Sequence, residues 1–217
     1  MRPNDAPATE GTFQVLLYRL NNELEEQCRV MFPFEPQTQA VGFYAAPTVD
    51  SEGNAYVPVT VPDATDTRKG QLWKVTPGCQ TTLLAEVTGS FAHASPTLAD
   101  VPPAGGTTGG YVLFATDGRL QVLTLDGTPV REYTLASNAR VLTSPVIHNG
   151  VIYVVQEDGT LNIIESAGVS GYGDAIWPRY RGDNDGRAML WGTGTPPSVC
   201  AAAGLGCSVY LPVVIAK

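Results

Sequence analysis

The chain has few of the groups that most often announce a chemistry. It has two histidines, His93 and His148, and four cysteines, with no Cys-x-x-Cys spacing. Structural zinc sites draw on such spacings, so none is expected. Charged residues make up only 16% of 217 positions. The 13 basic residues are scattered among 21 acidic ones, for a net charge of −8, and no Lys/Arg cluster forms. The attraction that nucleic acid or an anionic lipid surface would require is therefore missing. No apolar run approaches the ~20 residues of a membrane helix. The most apolar stretch, Val209 to Ala216, is short and carries Pro212. The opening, Met1-Arg2-Pro3-Asn4-Asp5, has no apolar core and does not read as a signal peptide.

What the chain does have is 23 glycines, 17 prolines and 43% hydrophobic residues. Most of the glycines and prolines punctuate short apolar runs, which is the pattern of an all-β fold. Three of these punctuation marks are copies of one another. Ala46-Pro47-Thr48-Val49, Ser95-Pro96-Thr97-Leu98 and Ser144-Pro145-Val146-Ile147 stand 49 residues apart. Each is followed by a β-rich run with a tyrosine, and then by Gly-x-Leu. A period of this size marks stacked copies of one small unit.

The third copy is the clearest. Ser144-Pro145-Val146-Ile147 is a short first strand, and Asn149-Gly150 is the strongest short hairpin signal. Val151 to Val155 is a second strand, apolar on both faces. Asp158-Gly159 turns the chain into a third strand, Thr160 to Ile164. After a loop from Ser166 to Ala175, Ile176 to Tyr180 is a candidate fourth strand, with Pro178 suited to an edge. The second copy runs through Tyr111, Asp117-Gly118, Leu120 and Asp126-Gly127. The first carries an insertion from Pro62 to Lys69. Before it lies half a unit: Glu10 to Val15 resembles Asp158 to Ile163 and Leu17 to Leu20 equally resembles Leu72 to Val75, either match giving a third strand, with a fourth to follow near Arg29 to Phe34.

Four antiparallel strands per unit at this period is the blade of a β-propeller. The expected organisation is a start at 1–10 that is disordered or truncated, and blades over 11–190. These comprise a half blade at 11–36 and blades at about 43–89, 92–138 and 141–186. A C-terminal tail follows at 191–217. About three and a half blades cannot close a ring of roughly 4–8. The ring is expected to be partial, or completed by a second copy as a homodimer. Cys200 and Cys207 bracket a small loop that a disulfide could close, which would need an oxidising compartment. The pairing of Cys28 and Cys79, in neighbouring units, stays open.

The run Val151-Ile152-Tyr153-Val154, Asp158-Gly159 and Leu161, with its copy at Tyr111, Asp117-Gly118, Leu120 and Asp126-Gly127, resembles the pyrroloquinoline-quinone-type propeller repeat. The resemblance covers about residues 11 to 186. Trp177-Pro178-Arg179-Tyr180-Arg181-Gly182-Asp183-Asn184 is similar to the Trp-Pro-x-Phe-x-x-Asp segment near the closure of such propellers. Val209-Tyr210-Leu211-Pro212-Val213-Val214 resembles the tails of exported proteins from Chloroflexi-type bacteria. The resemblance implies a propeller, and a secreted or cell-surface location. In quinoprotein dehydrogenases of this fold it also implies pyrroloquinoline quinone and calcium on the axis, over a tryptophan floor and a disulfide between adjacent cysteines. This chain has no adjacent cysteines, and Trp73, Trp177 and Trp191 do not recur at one blade position. The expectation is thus the non-enzymatic branch, with no cofactor.

Other motifs read as turns. Arg181-Gly182-Asp183 lies within the Trp-Pro segment. Asp183-Asn184-Asp185-Gly186 has the wrong spacing for an EF-hand and reads as an Asx-type turn. Asp50-Ser51-Glu52-Gly53-Asn54 reads as a hairpin turn. Gly105 to Gly110 lacks the lysine of a phosphate loop. Ser95 and Ser144 read as strand entry, and neither His93 nor His148 has an evident catalytic partner. Tyr56, Tyr111 and Tyr153 read as one recurring position that packs between blades. No catalytic, cofactor-binding or metal residue is expected. The functional expectation is an exported propeller that binds a protein or glycan through blade loops, the candidates being 62–69, 101–110 and 166–175. The alternative is a fragment of a quinone-dependent dehydrogenase or other propeller enzyme whose site lies on further blades.

Overall fold

The structure, a computed structural model, describes residues 13–21, 23–32, 44–62, 68–100, 110–165, 168–172 and 209–216. Among these the protein is all-β, with antiparallel sheets and no helix. The first sheet pairs β1 (Phe13–Leu20) with β2 (Glu26–Met31). The second is a four-stranded meander of β3 (Thr48–Val49), β4 (Ala55–Pro62), β5 (Arg68–Val75) and β6 (Thr81–Thr88). The third repeats it with β7 (Thr97–Asp100), β8 (Gly110–Thr116), β9 (Arg119–Thr124) and β10 (Pro129–Thr134). The fourth holds β11 (Val146–His148), β12 (Val151–Val155) and β13 (Leu161–Glu165).

The sheets pack face to face in chain order. On β4 the odd-numbered Ala55, Val57, Val59 and Val61 meet Leu17, Val30 and Phe32 of the first sheet and the end of β2. The next face along, with Tyr56 and Leu72, meets Leu98, Val112, Phe114 and Leu123 of the third. Leu113, Ala115, Leu120 and Val122 then meet Ile147, Ile152 and Val154 of the fourth. Central strands are covered on both sides, which is why their sequences are apolar without alternation. Trp73 meets Phe32 edge to face at 5.6 Å between centroids, a contact good for about 1 kcal/mol beyond its burial.

One turn recurs five times, at 21–25, 50–54, 76–80, 124–128 and 156–160. In each the first residue's N–H donates to the fifth residue's carbonyl, and the fourth residue's N–H donates to the first's. The fourth residue is left-handed. Gly53, Gly127 and Gly159 occupy it in three copies, while Leu24 (φ 62°) and Cys79 (φ 59°) do so in the other two. This is the type I turn followed by a left-handed residue, common in hairpins. Side chains at its first position lock it. Asn21 and Asp50 accept backbone N–H groups through Oδ1, and Thr76 and Thr124 do so through Oγ1. The Asn149-Gly150 hairpin is two residues long, as its sequence predicts, and both residues have positive φ.

Several details differ from the sequence reading. Pro62 lies in β4 and Arg68 and Lys69 in β5, so the insertion partly lengthens a hairpin. The loop read at Ser166 to Ala175 contains β14 (Gly171–Tyr172), which pairs back onto β7 of the third sheet. Tyr172 Oη accepts the Ile147 N–H at 3.2 Å, tying the third sheet to the fourth. Part of the expected tail is β15 (Val209–Ala216), paired along the whole of β1, from Phe13 opposite Ala216 to Leu20 opposite Val209. The first sheet therefore has the order β15-β1-β2. The three tyrosines do not share one register position. Thr48 faces Tyr56 and Val146 faces Tyr153, but Thr97 faces Leu113, two residues past Tyr111. A two-residue slip keeps the face of a strand, so alternation does not reveal it.

Cys28 and Cys79 form a disulfide between β2 and the turn joining β5 to β6, with Cα atoms 6.4 Å apart. The sequence had left this pairing open. Cys200 and Cys207, the expected strand from Ile176 to Tyr180, and the segments 101–109 and 181–186 lie outside the described residues.

Candidate functional site

The antiparallel meanders sort their connections to two ends. At one end lie the turns 50–54, 76–80, 124–128 and 149–150. Asp50 Oδ1 accepts the N–H groups of Glu52 and Asn54, and Oδ2 accepts Asn54 Nδ2 at 2.8 Å and Tyr56 Oη at 3.1 Å. Burial, then the Asp50 carboxylate beside it, pushes the Tyr56 hydroxyl well above the usual phenol range. Lys74 lies over the Tyr56 ring and donates to the Leu125 carbonyl at 3.2 Å. The group is a buried brace between sheets.

The opposite end is different. The connection from β6 to β7 crosses it, pinned at each step. The N–H groups of Gly89 and Ser90 donate to the Arg68 carbonyl. Ser90 Oγ donates to the Asp117 carbonyl, the Phe91 N–H to Asp117 Oδ2 at 3.2 Å, and the Ala92 N–H to Thr60 Oγ1 at 3.0 Å. Gly70 permits this approach, because a Cβ there would stand 3.2 Å from the Ala92 nitrogen and 3.1 Å from Thr116 Cγ2.

On this pinned segment Phe91 and His93 stack, with ring centroids 4.8 Å apart and planes at 29°. Tyr44, which precedes β3, contacts His93 with ring centroids 4.4 Å apart and planes at 47°. Two guanidiniums from different connections reach the Phe91 ring, Arg68 at 4.6 Å and Arg140 at 5.3 Å from its centroid. Each such contact contributes about 0.5–1 kcal/mol where exposed. Glu157, from the turn joining β12 to β13, approaches Arg140 at 3.9 Å, and both side chains are about half exposed.

The electrostatics follow from this crowding. Burial holds the His93 imidazole below its ordinary 6.5, the Arg140 and Arg68 charges add to that, and Glu157 opposes it. His93 is therefore neutral at pH 7. Burial raises the Asp117 carboxyl, with Glu157 adding, against the Phe91 and Val141 N–H groups and Arg140. Among the described residues, His93 Nε2, Thr116 Oγ1 and Asp117 Oδ1 are buried without a hydrogen-bond partner. The arrangement can do noncovalent recognition: ring edges, aliphatic surface and guanidinium forks are presented on a pinned backbone.

The sequence expectations fall on both ends. The turn read at 50–54 is a turn. Ser95 and Ser144 are buried at strand entries. His148 contacts Asn149 and ends β11 away from His93. The sequence considered His93 alone and missed its neighbours Arg68, Phe91, Asp117 and Arg140, which carry no shared motif.

Of the three tryptophans that a quinone floor could draw on, Trp73 lies among the described residues, and Trp177 and Trp191 lie outside them. Trp73 is buried between the first two sheets, with Nε1 spent on Gln71 at 2.9 Å, and cannot serve as an open platform. No group of three metal-ligating side chains comes together among the described residues. No helix of the described residues is long and apolar enough to cross a membrane. The chain matches no protein-family model and no curated protein.

Proposed function

We propose that the chain is an exported β-propeller segment, of repeats resembling the pyrroloquinoline-quinone type, that works as a binding scaffold. Its recognition surface is the end of the sheets that carries Phe91. The observation behind this reading is that end's construction. Arg68 at the start of β5 and Asp117 and Arg140 from two connections converge on one pinned segment, where Phe91 and His93 stack and the Arg140 side chain stays about half exposed. Arginine and tyrosine are the residue types that most often dominate binding surfaces.

The propeller part of the proposal is supported by the 49-residue spacing of β3, β7 and β11 and by sheets that stack in chain order. Export is supported by the Cys28–Cys79 disulfide, since such bonds persist in oxidising compartments. The experiment is selection of binders from displayed peptide and glycan collections, with wild type and two variants compared. Phe91→Ala should abolish the selected binding, and Lys74→Ala, at the far end, should leave it intact. Binding that survives Phe91→Ala but not Lys74→Ala would sink the assignment of the surface. Stoichiometric uptake of pyrroloquinoline quinone with calcium, and dye reduction, would replace the scaffold reading with the enzymatic one. A monodisperse dimer in solution would support a ring shared by two copies.

A further inference from the structure

We infer that the Phe91 end recognises the carboxylate of an acidic peptide segment, held between Arg68 and Arg140, with Glu157 acting as a built-in competitor. This rests on the binding reading above and names its ligand. Both guanidiniums lie over the same ring, at 4.6 and 5.3 Å from its centroid, which biases their positions before any ligand arrives. Their hydrogen-bonding forks are largely unspent. Arg68 makes no ion pair among the described residues, and Arg140 has only Glu157 at the 3.9 Å limit of contact. A planar fork held in place and not yet paired is the arrangement that takes a carboxylate in two parallel hydrogen bonds. The chain as a whole carries −8, so a pair of oriented cations is a local exception on its surface.

The choice of a peptide over an acidic sugar follows from what the rings have left to offer. Sugar rings pack on open aromatic faces. Here the His93 ring contacts both Tyr44 and Phe91, and the guanidiniums lie over Phe91. Tyr44 is 45% exposed, and Leu142, two residues beyond Arg140, is 51% exposed. These suit an apolar side chain next to the acid. Glu157 already meets part of the Arg140 charge, so the ligand's carboxylate must displace it.

The test uses a short fluorescein-labelled peptide of alternating Glu and Leu, the same peptide with Gln for Glu, and oligogalacturonate, read by anisotropy on the full chain. The Glu peptide should bind at least about 10-fold tighter than the Gln peptide, as expected for hydrogen bonds to charged groups. Arg68→Ala and Arg140→Ala should each lose about 10-fold. Arg68→Lys and Arg140→Lys, which keep the charge and stem, should recover only part of it. Glu157→Gln should tighten binding, about threefold, since a half-exposed pair contributes little. A purely structural role for the arginines would not produce that gain. Equal binding of the Glu and Gln peptides, lost in Phe91→Ala, would overturn the carboxylate inference and leave the binding surface standing. Tighter binding of oligogalacturonate than of the Glu peptide would overturn the peptide assignment. No binding of any probe would overturn the inference outright.

Discussion

Replacing both members of the Cys28–Cys79 bridge offers the sharpest check on how the first sheet is held to the second. The bridge closes a 51-residue separation. The loop-entropy model assigns a bridge of that span about 4 kcal/mol, between the values for much shorter and longer loops. A second term opposes it. Cys79 sits at φ 59° in a turn position that Gly53, Gly127 and Gly159 fill elsewhere. A side chain held there costs about 1 kcal/mol against glycine. The Cys28→Ala, Cys79→Ala pair should therefore lose about 4 kcal/mol, and Cys28→Ala, Cys79→Gly about 1 kcal/mol less. Urea titration followed by far-UV circular dichroism reads this directly. With a slope of roughly 3 kcal/mol/M, the Ala pair should move the midpoint down by more than about 1 M, and the Gly variant should recover about a third of a molar. Peptide mapping without reductant should recover the segment holding Cys28 joined to the one holding Cys79. It would also show whether Cys200 joins Cys207. A midpoint shift below about 0.3 M, or equal midpoints for the two variants, would refute the reasoning.

Three further expectations follow from other parts of the fold. Asp50→Ala removes an acceptor of four hydrogen bonds and strands the buried Tyr56 hydroxyl, so it should cost about 2–4 kcal/mol in a denaturant titration; Tyr56→Phe removes one bond and should cost about 1–2 kcal/mol. If the two cost the same, the Asp50 turn is not the brace described. Between the lowered folded value of His93 and its ordinary 6.5, the unfolded chain binds more protons than the folded one, so stability falls as pH drops through that window. Asp117 acts oppositely: its folded value lies above 3.8, the folded chain binds the extra proton there, and stability rises as pH drops toward 3.8. Melting temperatures of wild type and His93→Gln should converge at the acid side of the first window; parallel curves would count against the burial of His93. Deleting 209–217 should remove hydrogen-exchange protection from the amides of β1 that face β15, and unchanged protection throughout Phe13–Leu20 would contradict that pairing.

Local signals carried most of the fold. Asn149, Gly150 and Gly118 specify their turns because positive φ is cheap for those residues, and the alternation of β9 puts Leu120 and Val122 on the face that meets the fourth sheet. What was not legible is what depends on distance or on register. The fourth position of the turn at 76–80 is a cysteine where related turns have glycine. Aligned by turn rather than by strand, Thr76 to Gln80 against Thr124 to Thr128 singles out Cys79 as a residue kept at a cost. Its partner Cys28 sits on another sheet and leaves no local mark. Val209 to Ala216 reads as apolar and strand-like, but nothing in it names β1. The candidate site was hidden for the same reason. Arg68, Phe91, Asp117, Arg140 and Glu157 come from separate connections, and only the stacking of the sheets brings them to one end.

Burial at equivalent positions argues that the strands are committed to stacking. Tyr56 and Tyr153 occupy the same register position in their sheets, opposite Thr48 and Val146. Tyr56 is fully buried, because the third sheet covers that face, while Tyr153 is half-buried. Leu161 and Ile163, which pair with Val155 and Tyr153, are 52% and 60% exposed. The residue types on this face match those buried in the preceding sheets, so position in the stack decides burial, and sequence does not. At the other end of the stack the first sheet is completed by β15, whose Pro212, opposite Leu17, offers no N–H to a further strand and suits a protected edge. Side chains on the sheet faces are thus either spent on a neighbouring sheet or shaped to meet one. Variation that a ligand can read without breaking the stack is confined to the connections, and among those described, the end with Phe91 is where aromatic and cationic groups remain unspent.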